Sequence, residues 1–160
     1  MADDNEQQAG GQQAITGQLA IQKIYVKDVS FEAPNSPAIF TGEMNPTADV
    51  HFANRTQALD AENHEVVLTV TVKVHQGERT VYLVEVQQAG IFRVAGVPEE
   101  ALRPFLASAV PNILFPYARE AVSDATVRAG FPPVVLQPVN FDAMAQVPQG
   151  EAAETAATIQ

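Results

Sequence analysis

The sequence predicts an α+β fold: a four-stranded antiparallel sheet, a long helix in the C-terminal half and a short last helix. Three observations predict it. Apolar and polar residues alternate in four segments between residues 18 and 88, which is the period of half-buried strands. Small and apolar residues then recur every three or four positions over residues 112–129, as on one face of a helix. Turn-forming residues separate these segments.

The first strand is predicted at residues 18–31. Apolar residues take most of its odd positions, and the even positions place Asp28 and Glu32 on the opposite face. Residues 33–48 contain three prolines and predict a long irregular crossover. The crossover also carries the apolar residues Ile39, Phe40 and Met44, which either fold back onto the domain or stay available to a ligand.

Three further strands are predicted at residues 48–56, 65–75 and 79–88, and we expect all four to be antiparallel. The 65–75 segment has the clearest alternation, with five aliphatic residues from Val66 to Val74 on one face. A turn at Gln76–Gly77 leads into the last strand. There Leu83 and Glu85 share one face, whereas Tyr82, Val84 and Val86 share the other.

Two consecutive helices follow in the prediction. Pro98 and the acidic residues after it are typical of a helix start, and this helix is expected to break near Pro111. The main helix is then predicted over residues 112–129, with Pro116 in its first turn and Gly130 after its end. A stripe of small residues on it either packs on the protein's own sheet or forms a seam with another subunit. The stripe consists of Leu114, Ala118, Ala121, Ala125 and Ala129.

The composition predicts one folded domain over residues 16–145, with disordered segments at 1–15 and 146–160. Nineteen acidic and nine basic residues give a net charge of −10, which argues against binding to nucleic acid or anionic lipid. The chain has no cysteine, which excludes disulfides and thiolate zinc sites. It shows no signal-peptide pattern and no apolar run that could insert into a membrane, so we expect a cytoplasmic protein.

Few residues point to catalysis or to a cofactor. The three histidines lack metal-ligand spacing, and we expect each of them to be solvated. Asp28, Glu32 and Glu85 are the carboxylates that the strand pattern could bring together. They allow three interpretations: an acid–base pair of a small enzyme, an acidic surface, or a docking site for a basic partner.

Four segments closely resemble the bacterial SecB family of protein-export chaperones. They are Tyr25–Asn35, Glu85–Phe92, Pro111–Glu120 and Pro138–Asp142, in the family's order. The resemblance covers about residues 18–145. It implies a homotetramer, arranged as a dimer of dimers, that holds unfolded precursor polypeptides in the cytoplasm and delivers them to the translocation motor SecA. It also implies that the chain has no catalytic activity and needs no cofactor or metal of its own.

The resemblance also assigns roles to residues. It implies SecA docking by Asp28, Glu32, Leu83 and Glu85, and it implies a role in assembly or substrate binding for Val84, Val86 and Gln88. A long groove for extended polypeptide is predicted at the crossover, lined by Phe31, Ile39, Phe40 and Met44. From the stripe we expect Leu114, Ala118, Ala121 and Ala125 to serve assembly. A small enzyme and a purely structural oligomer remain the alternatives.

Overall fold

The computed structural model describes residues 17–146, together with the backbone of two short strands near the C-terminus. Its main sheet contains four long strands, β1 Gln18–Glu32, β2 Thr47–Ala58, β3 Asn63–Gln76 and β4 Arg79–Ala95. They are antiparallel and lie in the order β1-β4-β3-β2, which confirms the predicted four-stranded sheet. Because the first strand pairs with the fourth, the irregular crossover carries the chain from β1 at one edge of this four-stranded sheet to β2 at the other edge. A 3₁₀ helix, Ala38–Thr41, interrupts this crossover.

One side of the sheet, the covered face, carries the hydrophobic core. Helix α1, Glu99–Arg128, packs on this face across β4, β3 and β2. Alternate residues of β3 and β4 point towards the helix and are almost completely buried, as the alternation predicted. They are Val66, Leu68, Val70, Val72 and Val74 of β3 with Tyr82, Val84, Val86 and Gln88 of β4.

The opposite side, the open face, has no helix of the described residues packed on it, so its accessible side chains can meet a partner.

Two β-bulges interrupt strand β1. Its odd positions therefore do not all lie on one face, contrary to the prediction. The register with β4 shifts between Ile21 and Lys23 and again between Val26 and Asp28. Each shift adds a residue and reverses the alternation. Tyr25 therefore pairs with Ala89 on the open face, and Ile24 takes the core side instead.

The prediction of two helices separated at Pro111 was wrong, because α1 continues for 30 residues through Pro104, Pro111 and Pro116. Proline has no N–H, so Pro111 leaves the carbonyl of Ala107 without its helical donor. The side-chain amide of Asn54 on β2 donates to that carbonyl at 3.5 Å. Packing of the helix on the sheet thus supplies a partner that the helix itself lacks.

The helix ends as predicted, at a glycine. Gly130 has φ of +87°, a conformation that glycine adopts without steric cost. Its N–H donates to the carbonyl of Val127 at 3.0 Å, and the N–H of Phe131 donates to that of Thr126 at 3.1 Å. This is the Schellman arrangement. It turns the chain back towards the crossover and directs the next residue, Phe131, into the core.

The remaining elements are short. They are β5 Val134–Val135, the predicted last helix α2 Phe141–Ala145, and the backbone strands β6 Glu154–Ala156 and β7 Thr158–Ile159. β6 pairs with the edge of β2, and β7 pairs with β5. The disorder predicted for residues 1–15 lies outside the described residues. Of the tail predicted to be disordered, residues 146–160, the structure describes only Gln146 and the backbone of β6 and β7. No helix in the described part of the chain combines the length and apolar character that a membrane crossing requires.

Candidate functional site

The sheet register brings the four predicted docking residues together on the open face. Glu32 on β1 lies directly opposite Leu83 on β4, and two positions further along Ser30 lies opposite Glu85. Asp28 follows, opposite Gln87. Directly opposed residues project to the same side of a sheet. The register therefore places Asp28, Glu32, Leu83 and Glu85 on one surface, as predicted.

The three carboxylates of this surface have different surroundings. Asp28 and Glu32 are exposed, and they lie on an edge strand. Glu85 is half-buried, and its carboxylate accepts a hydrogen bond of 2.9 Å from the hydroxyl of Thr71 on β3. Thr71 therefore fixes the orientation of one carboxylate, while the other two remain free to meet a partner. An open, largely solvated sheet face suits recognition of cations better than acid–base chemistry.

Next to this surface lies a charged group that was not among the predicted site residues. Glu65 on β3 has a nearly buried side chain, and Lys27 Nζ donates to its two carboxylate oxygens at 2.7 and 3.0 Å. The hydroxyl of Tyr25 donates to the same carboxylate. We call Tyr25, Lys27 and Glu65 the bulge network, because Lys27 is the extra residue of the second bulge.

The bulge network shifts two pKa values. Hydrogen bonds from Lys27 and then from Tyr25 hold the pKa of Glu65 below its usual value. Burial, with the adjacent Glu65 carboxylate, raises the pKa of Tyr25 to about 12. Glu65 is therefore a carboxylate at neutral pH, and Tyr25 keeps its proton.

An aromatic cluster lies at the crossover, where the groove was predicted. Phe31 stacks on Tyr82 with ring centroids 5.3 Å apart, and Phe131 lies 4.7 Å from Tyr82. Phe40 stacks on Phe131 at 4.9 Å and leaves 49% of its own surface exposed. Met44, further along the crossover, is 38% exposed. The cluster is therefore buried at its base, at Tyr82 and Phe131, and apolar at its accessible rim, at Phe40 and Met44.

Several predicted site residues are buried inside the chain. Ile39 belongs to the core and lines no accessible surface. Leu114 and Ala118 are completely buried as well, so they cannot contribute surface to a seam between subunits. Ala121 and Ala125 are half-buried against the same core. Leu114 and Ala118 thus pack into the core of their own subunit, whereas Ala121 and Ala125 keep part of their surface accessible. Val84, Val86 and Gln88 lie beneath α1 on the covered face.

The histidines occupy three different environments. His51 is exposed, as predicted, and His75 lies half-buried with its Nε2 3.1 Å from a carboxylate oxygen of Asp49. His64 is buried, which contradicts the predicted solvated position, because it lies on the covered face opposite Phe92. Within the described residues no group of three potential ligands could hold a metal ion.

Two residues of the aromatic cluster were not identified as site residues from the sequence. Tyr82 was assigned only to a strand face. Its hydroxyl is buried and has no hydrogen-bond partner among residues 17–146, and burial raises its pKa to about 12. Phe131 was missed altogether. The glycine cap before it was a usable signal, because an apolar residue after such a cap commonly packs back onto the helix.

The sequence matches a known family over most of its length. The profile of the family described as "Preprotein translocase subunit SecB" matches residues 12–151. The Protein-export protein SecB of Methylococcus capsulatus is 55% identical over 127 residues, covering 79% of this chain and 82% of the relative. That of Nitrosococcus oceani is 51% identical over 146 residues, covering 90% of this chain and 89% of the relative.

A solved structure has the same fold. The SecB-like chaperone of Mycobacterium tuberculosis, solved in complex with a ChAD peptide from an antitoxin, aligns with a TM-score of 0.63 and 23% sequence identity. The alignment covers 76% of this chain and 90% of that one. At this identity the likeness supports the fold, whereas the family profile and the close relatives establish descent. The chain therefore belongs to the SecB family.

Proposed function

We propose that this protein is a chaperone of protein export, which binds unfolded precursor polypeptides in the cytoplasm and delivers them to SecA. Membership of the SecB family is the observation that carries the proposal. Two separate surfaces bind the two partners. The aromatic cluster receives the client chain, and the acidic part of the open face meets the motor. Neither role requires a catalytic residue or a cofactor.

The crossover supports the assignment of the client surface. An unfolded chain exposes scattered apolar side chains, and Phe40 and Met44 offer accessible apolar area beside a fixed aromatic base. Methionine adapts its shape to varied partners, which suits a surface that binds many sequences. The related chaperone with a bound peptide gives a precedent for peptide binding on this fold.

The charge of the open face supports the assignment of the SecA surface. Asp28 and Glu32 are exposed beside Glu85, in a chain with a net charge of −10. Such a surface attracts a basic partner, and Leu83 adds an apolar contact between the carboxylates. The resemblance of the sequence implies that the docking tail of SecA is basic.

The covered side of β1 supports the proposed homotetramer. Helix α1 leaves this edge strand largely uncovered, and Ile21, Val26 and Val29 are each about half exposed there. An edge strand with exposed aliphatic side chains is suited to pairing with another chain. We propose that a second copy covers it, and that two such dimers form the tetramer. Val84, Val86 and Gln88 then influence assembly indirectly, by supporting the position of α1.

Light scattering with and without an unfolded precursor tests assembly and client binding together. The protein alone should have the mass of a tetramer, and the mass should rise with the unfolded precursor but not with its folded form. Phe40→Ala should weaken client binding, whereas Leu59→Ala should not, although both residues are 49% exposed. Equal binding of folded and unfolded precursor would refute the proposal.

Charge reversal tests the docking surface. Asp28→Lys with Glu85→Lys should weaken the binding of SecA by about tenfold or more, since close charge pairs contribute strongly at interfaces. Glu78→Lys with Asp142→Lys makes the same change in net charge elsewhere and should have a much smaller effect. Added salt should weaken the wild-type contact, because screening acts over about 10 Å at 0.1 M. Unchanged affinity of the first variant at low salt would argue against this surface.

A further inference from the structure

The second bulge of β1 decides which face of the sheet Asp28 and Glu32 occupy. Val26 pairs with Gln88 and Asp28 pairs with Gln87, so Lys27 is an extra residue in the ladder. In a regular strand Asp28 would share the covered face with Val26, because side chains alternate. The extra residue reverses that order, and losing the bulge by a slip of one residue would carry both carboxylates to the covered face.

The extra residue is held from a distant strand. Lys27 on β1 bonds to both carboxylate oxygens of Glu65 on β3, and β4 lies between the two strands. The side chain of Glu65 is only 9% accessible, and Tyr25, on the other side of Val26, donates to the same carboxylate. A carboxylate so little exposed requires its partners, because an unpaired buried charge is costly. The bulge network therefore fixes the bulge from both sides.

We infer that Lys27, Tyr25 and Glu65 are positioning residues for the docking surface, because they hold the bulge that keeps Asp28 and Glu32 on the open face. This inference rests on the proposed docking of SecA there. Phe31 acts in the same direction from the covered face, where it packs on Tyr82. The polar network on one face and the aromatic contact on the other thus favour the same register.

The direction of an affinity change separates positioning from simple charge attraction. Because the partner is basic, loss of the positive charge of Lys27 by itself would strengthen binding. If Lys27 positions the surface, Lys27→Met instead weakens SecA binding, by about tenfold, which is a typical coupling between sites. Lys73→Met is the matched control: Lys73 lies on the same face and forms no ion pair within the described part of the chain. It should bind as well as the wild type or better. Unchanged or tighter binding by Lys27→Met would overturn the inference.

A deletion offers a rescue. Glu65→Gln should weaken SecA binding, because Lys27 and the bulge are no longer held. Deleting Lys27 in the Glu65→Gln variant removes the extra residue, so Asp28 follows Val26 in a regular ladder, opposite Gln87 and on the open face. The deletion should therefore restore most of the lost affinity. Failure of a folded deletion variant to regain affinity would contradict the positioning role.

Hydrogen exchange provides a readout that does not depend on SecA. In Lys27→Met, amides of residues 27–32 should lose protection while those of β3 keep theirs. Unchanged protection of residues 27–32 would overturn the inference even if SecA does not bind. Conversely, if the double reversal at Asp28 and Glu85 leaves SecA binding unchanged, the proposed docking surface is wrong, and the exchange measurement still tests the bulge.

Discussion

The two faces of the main sheet are formed by the same strands, yet they differ in chemistry and in role. On β3, Val66 to Val74 are buried at every second position, whereas Thr69, Thr71 and Lys73 between them are accessible. The covered face is mainly aliphatic and meets α1, and the open face is mainly polar and charged, although Val67 and Ala89 are buried on it. A single step along each strand thus separates side chains that stabilise the fold from side chains that a partner can reach. Substitutions on the covered face should therefore affect folding, and substitutions on the open face should affect binding.

The largest effect is expected at the contact between α1 and the covered face. Leu114→Ala removes a completely buried side chain, so the free energy of unfolding should fall by about 2–5 kcal/mol. Urea denaturation measures it. Leu59→Ala is the control, because Leu59 is half exposed, and it should change stability by only about 0.5 kcal/mol. Similar losses in both variants would contradict the burial of this helix face.

The second largest change in the free energy of unfolding is expected within α1, at Pro116. Pro116 is an exposed residue inside α1 and leaves the carbonyl of Asn112 without its helical donor. Pro116→Ala restores that hydrogen bond and should raise the free energy of unfolding by about 1–3 kcal/mol. Thermal and urea denaturation check this. A loss of stability would mean that the proline ring makes a packing contact that outweighs the missing bond.

The third prediction is a pH dependence that arises on the open face. The pKa of Glu65 is held below its usual value of 4.5, so this group stabilises the fold above that pH and the contribution is lost as pH falls through its folded pKa. The stability difference between the wild type and Glu65→Gln should therefore shrink on acidification from about pH 5 to pH 3. Urea denaturation at several pH values measures it. A difference that stays constant would contradict the lowered pKa.

The smallest effect on folding is expected for Thr71, whose hydroxyl orients Glu85. Thr71→Val should lower the free energy of unfolding by no more than about 1 kcal/mol, because water can replace a bond to a half-exposed carboxylate. It should nevertheless weaken SecA binding by about two- to fivefold, and Thr71→Ser should retain wild-type affinity. Binding titrations compare the two variants. Equal affinities would show that the hydroxyl has no role in docking.

Much of the covered face could be predicted from the sequence. The alternation from Val66 to Val74 identified its buried residues, because period two maps directly onto the two sides of a strand. The same parity argument placed Asp28 and Glu32 opposite Phe31. The predicted face held for these residues although the strand bends twice before them, since no bulge falls between Asp28 and Glu32.

The errors have a common origin in contacts between elements that are distant in the chain. The helix was predicted to end at Pro111, but Asn54 of β2 donates to the carbonyl that the proline leaves free. Which residues of the small-residue stripe are buried also depended on such contacts: Leu114 and Ala118 lie in the core, and Ala121 and Ala125 stay partly accessible. His64 was expected in solvent and is buried on the covered face.

Local patterns and ordered motifs were enough to predict the four strands, the glycine after α1 and the family. The pairing of β1 with β4, the two bulges and the bond from Lys27 to Glu65 became visible only in the folded chain. The physical reason is that alternation is a property of neighbouring residues, whereas register is set by packing across the sheet. A single extra residue, held from two strands away, places the acidic residues where a partner can reach them.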